Sequence, residues 1–188
     1  LYAMLLASSN EVAYAVGDTV AKKQGHDYQW FLDEMNRTVK ELGGTHTHFV
    51  NTNGVHDEEH YTSARDMALV ARELFAFPEF FTISQTAQYT IPASAATEEH
   101  VFQQKHRMLV PGYDEYYEYA VGGKTGYTTD AKNTLVTLAD NGEMKLVCVM
   151  LNTHSGHIYS DTRALLDYGF QNFRHVQVDE SGSEDIQK

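Results

Sequence analysis

Apolar residues recur every three to four positions in several stretches of the chain, and most of these stretches begin beside a good helix-capping residue. This spacing predicts amphipathic helices, and a Ser or Asp before a stretch predicts where its helix begins. The prediction comprises a helix end at Leu1–Leu6, a helix over Glu11–Lys23, and three helices capped by Asp27, Ser63 and Asp161. A glycine pair at 43–44 and a proline at 78 are expected to end the helices that follow Asp27 and Ser63.

Two runs of strand-forming residues flank the dipeptide Asn141-Gly142, which favours a two-residue type I′ hairpin turn. The strands are predicted over Asn133–Asp140 and Glu143–Asn152, with Tyr119–Tyr127 paired beside them. Two shorter strands are predicted near residues 90 and 102. Helices that precede an antiparallel sheet, and a last helix that must cover one of its faces, predict an α+β fold.

The 188 residues are 42% hydrophobic, which is enough for one domain with a core. We assign residues 1–175 to that domain and the acidic segment 176–188 to a tail or linker. The net charge of −12 and the lack of a basic run make nucleic acid an unexpected partner. No apolar run approaches the roughly 18 residues that span a bilayer. The single cysteine, Cys148, lies in an apolar run and is predicted to be buried in a strand.

Lys124, Thr125 and Gly126 stand just before the predicted hairpin and have the chemistry of a carboxylate-binding strand. Lysine supplies a positive charge, and threonine supplies a hydroxyl for a charge-assisted hydrogen bond. Glycine leaves the backbone free for a peptide to pair alongside it. The N–H of the next residue, Tyr127, is a candidate donor for an oxyanion hole. The same tripeptide is also compatible with an ordinary turn at a strand edge.

Ser8 and Asn10 form a Ser-x-Asn element on the predicted loop between the first two helices. Serine and asparagine are common at helix ends, so helix capping is the simplest interpretation of this pair taken alone. Together, Ser-x-Asn and Lys-Thr-Gly are two of the three motifs of serine enzymes that recognise penicillin.

Five stretches of the chain, in order, are similar to the low-molecular-weight penicillin-binding proteins, which are serine-type D-alanyl-D-alanine carboxypeptidases. They are Leu5–Ala13, Thr47–Gly54, His60–Ala68, Gly122–Thr128 and Leu165–Phe170. The resemblance covers nearly the whole chain. It implies a three-layer fold of the β-lactamase and transpeptidase type, with an antiparallel sheet that has helices on both faces.

The resemblance also implies the chemistry. Ser8 would relay a proton, Asn10 would hold the substrate amide, and Lys124 and Thr125 would bind the terminal carboxylate. The implied substrate is a peptidoglycan stem peptide ending in D-Ala-D-Ala, β-lactam antibiotics are the implied covalent inhibitors, and the implied location is extracytoplasmic, at the cell envelope. No cofactor and no metal are expected.

The third motif of the family, Ser-x-x-Lys with the nucleophilic serine, is not in these residues, because none of the nine serines has a lysine three positions later. The chain begins with Leu1 inside a helical pattern, so we expect an N-terminal segment to be missing and to act as a structural partner. The alternative is a non-catalytic module that binds peptidoglycan or penicillin. The segment Lys105-His106-Arg107 and Lys132 also depart from the family pattern.

Parts of the sequence also invite comparison with two other enzyme classes. A class A β-lactamase needs a glutamate that activates water, and its usual Glu-x-x-Leu-Asn signature is absent. A zinc peptidase is indicated by His56, Glu59 and His60, which fit the pattern H-x-x-E-H. That pattern binds zinc on a helix, whereas here it follows Asn-Gly and precedes a predicted cap, so we predict a loop without a metal site.

Overall fold

The chain alternates helical and strand regions in the order expected from its hydrophobic pattern, as seen in a computed structural model that describes residues 1–154 and 156–176. The helices are α1 (Tyr2–Leu5), α2 (Asn10–Lys23), α3 (Tyr28–Glu41), α4 (Ala64–Glu73), α5 (Pro78–Ser84) and α6 (Ile158–Asn172). The strands are β1 (Gln88–Ile91), β2 (His100–Gln103), β3 (Ala120–Thr128), β4 (Lys132–Asp140) and β5 (Lys145–Thr153). None of the described helices has the length and apolar character needed to cross a membrane.

Two predicted caps are confirmed. Asp27 accepts a hydrogen bond from the N–H of Trp30 at the start of α3, and Ser63 accepts one from Asp66 at the start of α4. The cap predicted at Asp161 is wrong, because α6 begins three residues earlier, at Ile158, and Asp161 lies in its first turn. Asp161 therefore contributes negative charge near the positive end of the helix dipole instead of a cap.

Strands β3, β4 and β5 form an antiparallel sheet in that order, with β4 in the centre. Alternate residues of β4 point to opposite faces, and both faces are covered. Leu135 and Ala139 join the core cluster beneath α6, whereas Leu138, on the other face, is fully buried on the side of α4 and α5. Cys148 is buried in β5, as predicted. The predicted α+β fold in three layers is confirmed.

The hairpin between β4 and β5 differs from the prediction. Strand pairing ends at Asp140 and Lys145, so the loop has four residues, and of the Asn-Gly pair only Gly142 has a positive φ, of 87°. A type I′ turn needs positive φ at both central residues. The Asn141 side chain instead accepts hydrogen bonds from the N–H groups of Glu143 and Met144, at 3.0 and 2.8 Å. This local bonding favours the longer loop.

Strands β1 and β2 form a separate two-stranded antiparallel arm with most of its residues exposed, close to the positions predicted from sequence. The tail predicted at 176–188 lies outside the described residues except for Val176.

Candidate active site

Ser8 and Lys124 are 116 residues apart in sequence and are in direct contact in the fold. The Lys124 ammonium donates hydrogen bonds to Ser8 Oγ at 2.7 Å and to the carbonyl of Thr125 at 2.6 Å. Ser8 lies in the short link between α1 and α2 and has a left-handed backbone, with φ of 62°. Such a conformation is uncommon outside glycine and is often found at functional sites. The fold therefore brings together the two motifs that the sequence singled out.

Ser8 is not the cap of α2. The neighbouring Ser9 fills that position, and its hydroxyl accepts a hydrogen bond from the N–H of Val12 at 3.3 Å. Asn10 was predicted on the loop, and this is wrong, because it is the first residue of α2. Since the cap is already provided, the Ser8 side chain is left to face Lys124.

Lys124 reaches this position because the two preceding glycines let β3 pack closely against its neighbours. A Cβ at Gly122 would lie 2.7 Å from the ring of Phe80 in α5. A Cβ at Gly123 would overlap the carbonyl oxygen of Val136 in β4 and would lie 2.8 Å from the His106 ring. Any larger side chain at either position would move the strand that carries Lys124.

Gly126 has a packing role that the sequence did not predict. It pairs with Thr134 on β4, and a Cβ at this position would lie 2.5 Å from the Thr134 hydroxyl. The glycine therefore keeps β3 and β4 in register beside the site as well as leaving the backbone open to a ligand.

A buried polar network below β3 was also missed. His106 is fully buried, and its Nε2 lies 2.9 Å from the Thr137 hydroxyl. The backbone N–H of His106 donates to the side-chain oxygen of Gln104. That side chain donates to the Ser84 carbonyl at 2.6 Å, and the Ser84 hydroxyl accepts from the N–H of Gly123 at 3.1 Å. Burial lowers the pKa of His106 to about 4, so the imidazole is neutral at pH 7. The network fixes the backbone one residue before Lys124.

The charge of Lys124 is costly in the resting site. Burial, assisted by the nearby positive charge of Lys105, lowers the pKa of Lys124 to about 8 from an ordinary value of 10.5. An anion beside the ammonium would reverse this effect, because opposite charges stabilise each other in a poorly solvated site. The site is therefore suited to bind a carboxylate.

Strand β3 is an edge strand of its sheet, so one side of its backbone is open to pair with an extended peptide. A groove of about 680 Å³ runs beside it and is lined by Ser8, Asn10 and Thr125–Tyr127. The side chain of Tyr127 is 68% exposed at its rim. All six residues predicted for the site line a neighbouring cavity of about 370 Å³, and all of them except Lys124 also line the groove.

The histidine-rich segment lies in a turn and loop, as predicted. His60 Nδ1 accepts a hydrogen bond from the N–H of Val50 at 3.2 Å, and the Glu59 carbonyl bonds to His48. Within residues 1–154 and 156–176, no three His, Cys, Asp or Glu side chains are grouped to hold a metal ion. The geometry gives no support to a zinc peptidase.

Comparison with known proteins decides the family. Residues 1–155 match the family model for D-alanyl-D-alanine carboxypeptidase, peptidase family S11. The chain belongs to this family. It is 27% identical over 174 residues to the D-alanyl-D-alanine carboxypeptidase DacF of Bacillus subtilis, and the match covers 92% of the chain and 42% of DacF. It is 29% identical over 182 residues to DacA of Escherichia coli, and this match covers 95% of the chain and 41% of DacA.

Solved structures agree with this assignment. The DD-transpeptidase of Streptomyces K15 superposes with a TM-score of 0.79 at 26% identity, and the match covers 91% of the chain and 66% of that protein. A D-alanyl-D-alanine carboxypeptidase from Mycobacterium tuberculosis superposes with a TM-score of 0.76 at 28% identity, covering 95% and 65%. The chain thus spans about two fifths of the curated relatives named above and about two thirds of these structures.

Proposed function

We propose that these 188 residues form the substrate-binding part of a serine-type D-Ala-D-Ala carboxypeptidase, and that its acylating Ser-x-x-Lys pair lies outside them. The observation that carries the proposal is the 2.7 Å hydrogen bond from Lys124 to Ser8 beside an open strand edge. It joins a carboxylate-binding cation to a hydroxyl that is within reach to pass on a proton.

Each residue of the site has a role in this proposal. Lys124 and the Thr125 hydroxyl bind the terminal carboxylate of the peptide. Asn10 holds the substrate amide, and the N–H of Tyr127 donates to the oxyanion that forms during acyl transfer. Ser8 carries a proton to the leaving D-alanine. The substrate is a peptidoglycan stem peptide, and β-lactams inhibit by acylating the nucleophilic serine of the Ser-x-x-Lys pair outside these residues. These partners place the protein at the cell envelope.

An apolar trough next to Lys124 is the proposed place for the acylating segment. It has a volume of about 410 Å³ and lies between the sheet and helices α1, α4 and α5. Its lining includes Met4, Val70, Phe80 and Leu138. A trough of this size with an apolar lining favours a buried protein segment over water. A helix seated there would bring a serine beside Lys124 and Ser8, and the segment would then be a structural partner as well as the source of the nucleophile.

Hydrolysis is preferred over the non-catalytic binding module because both sequence relatives named above are carboxypeptidases. It is also preferred because a hydroxyl hydrogen-bonded to Lys124 serves proton transfer, which simple binding does not need.

The test measures release of D-alanine by the complete protein, meaning these residues together with the acylating segment. A peptide ending in D-Ala-D-Ala should be cleaved, and its L-Ala-L-Ala counterpart should not. Replacing Lys124 with alanine should lower kcat/KM by roughly 10²–10³, because one charge-assisted contact to the carboxylate is lost. Activity that survives Lys124→Ala unchanged would overturn the assignment.

A further inference from the structure

The cavity of about 370 Å³ at Lys124 is also lined by a segment that has no role in the proposed function. Besides Ser8, Asn10 and residues of β3, its lining includes four consecutive residues, 52–55. We call residues 51–55 the wall loop. In the proposed function the terminal carboxylate lies at Lys124 and the leaving amine at Ser8. The methyl group of the terminal D-alanine is therefore left to face the other lining residues, the wall loop among them.

The wall loop is a compact unit held by its own side chains. Asn51 Oδ1 accepts hydrogen bonds from the N–H groups of Asn53 and Gly54, at 3.3 and 2.7 Å. The Asn51 amide donates to the Val55 carbonyl at 2.9 Å, and the Asn53 side chain accepts from the N–H of Val55 at 3.0 Å. Asparagine side chains commonly stabilise tight loops in this way. A loop bonded like this moves as one piece, so its position in the site depends on its contacts with the helices.

The polar contact to a helix is made by Tyr28, the first residue of α3. The Tyr28 hydroxyl lies 3.0 Å from the Thr52 hydroxyl and accepts a hydrogen bond from the N–H of Thr52 at 3.2 Å. In the part of the chain that the structure describes, these are the only hydrogen bonds between the wall loop and residues outside it. One tyrosine hydroxyl therefore provides the polar anchor of the whole loop.

Close packing against α2 holds Thr52 from a second side. A Cβ at Gly17 in α2 would lie 3.0 Å from the Thr52 methyl group and 2.9 Å from the Phe31 ring. Glycine at this position leaves the space that the Thr52 methyl group occupies. Packing of this density resists motion of the loop toward α2, whereas the hydrogen bonds to Tyr28 resist separation of the loop from the helices.

We propose that Tyr28 is a positioning residue, which holds the wall loop against the terminal D-alanine so that the site prefers D-alanine over glycine at the last position of the substrate. This inference rests on the proposed function and adds to it a residue outside the two motifs. Tyr28 does not line the cavity, so it acts through Thr52 and not by touching the substrate. A methyl group gains contact energy from a wall that stays in place, and it loses that contact when the wall moves away.

The test compares two peptides that differ in one methyl group, acetyl-Ala-D-Ala-D-Ala and acetyl-Ala-D-Ala-Gly, as substrates of the complete protein. The unsubstituted protein should favour the D-Ala peptide by roughly tenfold in kcat/KM, the lower end of the range for one small apolar group in a pocket. Tyr28→Phe keeps the ring and removes the hydroxyl. It should lower kcat/KM by roughly fivefold for the D-Ala peptide and by less than about twofold for the Gly peptide. A loss of folded protein would lower both rates equally, so the ratio of the two separates positioning from stability.

Tyr14→Phe is the matched control. The Tyr14 ring on α2 lies beside that of Tyr28, with 4.5 Å between the ring centroids. Tyr14 is exposed, and its hydroxyl makes no hydrogen bond with any residue that the structure describes. Its loss should leave both rates unchanged, because the wall loop does not depend on it.

Thr52→Val removes the other hydroxyl of the 3.0 Å pair and keeps the backbone N–H. It should lower the rate on the D-Ala peptide less than Tyr28→Phe does. Added to Tyr28→Phe it should cause little further loss, because both substitutions break the same contact. Losses that multiply in the double variant would show that the two hydroxyls act separately and would overturn the proposed anchor.

The remaining outcomes distinguish this inference from the proposed function. Equal rates on the two peptides in the unsubstituted protein would overturn the role of Tyr28 and leave the proposed function intact. An equal fall on both peptides in Tyr28→Phe, or no fall on either, would do the same. Absence of cleavage of both peptides by the unsubstituted protein would contradict the proposed function and this inference together.

Discussion

Replacing Lys124 with methionine should change how the stability of the chain depends on pH. The folded-state pKa of Lys124 is about 8, below the ordinary value of 10.5 that applies when the chain is unfolded. Between these two values the unfolded state binds more protons than the folded state, so the free energy of unfolding rises with pH. Below pH 8 the buried ammonium opposes folding, and the penalty disappears as the lysine loses its proton.

The magnitude follows from the two pKa values. Each pKa unit corresponds to about 1.4 kcal/mol, so the full penalty is about 3 kcal/mol, of which about 2 kcal/mol is relieved between pH 7 and pH 9.5. In a chain of this size, that corresponds to roughly 4–8 °C in Tm. The Lys124→Met chain cannot titrate at this position and should lack this contribution.

The assay is urea unfolding of both chains at pH 7 and pH 9.5. Other groups also titrate in this range; for example, burial raises the pKa of the Cys148 thiol. Their contributions are common to both chains and cancel in the difference between them. The stability of the Met variant relative to the unsubstituted chain should therefore fall by about 2 kcal/mol as the pH rises from 7 to 9.5. A difference that is the same at both pH values would refute the reasoning.

Three further predictions concern single residues. Gly123→Ala should cost about 3 kcal/mol or more in urea unfolding, because its Cβ would overlap the backbone carbonyl of Val136, and a cost below about 1 kcal/mol would contradict the close packing. In the complete protein, Ser8→Ala should slow acylation by benzylpenicillin by roughly 10²–10⁴ with little change in Tm, whereas Ser9→Ala should lose about 0.5–2 kcal/mol of stability and keep its rate. If Ser8→Ala instead lowered the stability and Ser9→Ala slowed acylation, Ser8 would be the structural residue. His60→Ala and a chelator should leave D-alanine release unchanged, and loss of activity with either would favour a metal enzyme.

Local signals in the sequence predicted much of the fold. The caps Asp27 and Ser63 and the strands of the central sheet were predicted correctly, because capping and strand alternation act over a few neighbouring residues. Predictions based on one residue type were weaker. Asp161 is a good capping residue, but α6 extends to Ile158, whose side chain is buried in the core cluster. The tertiary packing of Ile158 therefore outweighed the capping preference of Asp161.

Local sequence signals likewise predicted only part of the candidate site. The Lys-Thr-Gly and Ser-x-Asn motifs located its residues, but only the fold shows that Ser9, one position from Ser8, takes the capping role. The burial of His106 gave no signal in the sequence, since a histidine in a polar segment is ordinarily exposed, whereas here it is fully buried beneath Gly123. Contacts between residues far apart in sequence, such as His106 with Thr137, depend on the tertiary fold and leave no local pattern.

In the proposed function, these residues supply the carboxylate-binding side of a penicillin-sensitive site whose acylated serine lies elsewhere in the complete protein. The most direct measurement is to incubate the complete protein with benzylpenicillin, digest it, and locate the penicilloyl group by mass spectrometry. The proposed function predicts one adduct, on a serine outside these 188 residues, and none on the 188-residue chain treated alone. An adduct on any of the nine serines of this chain, or no adduct on the complete protein, would contradict it.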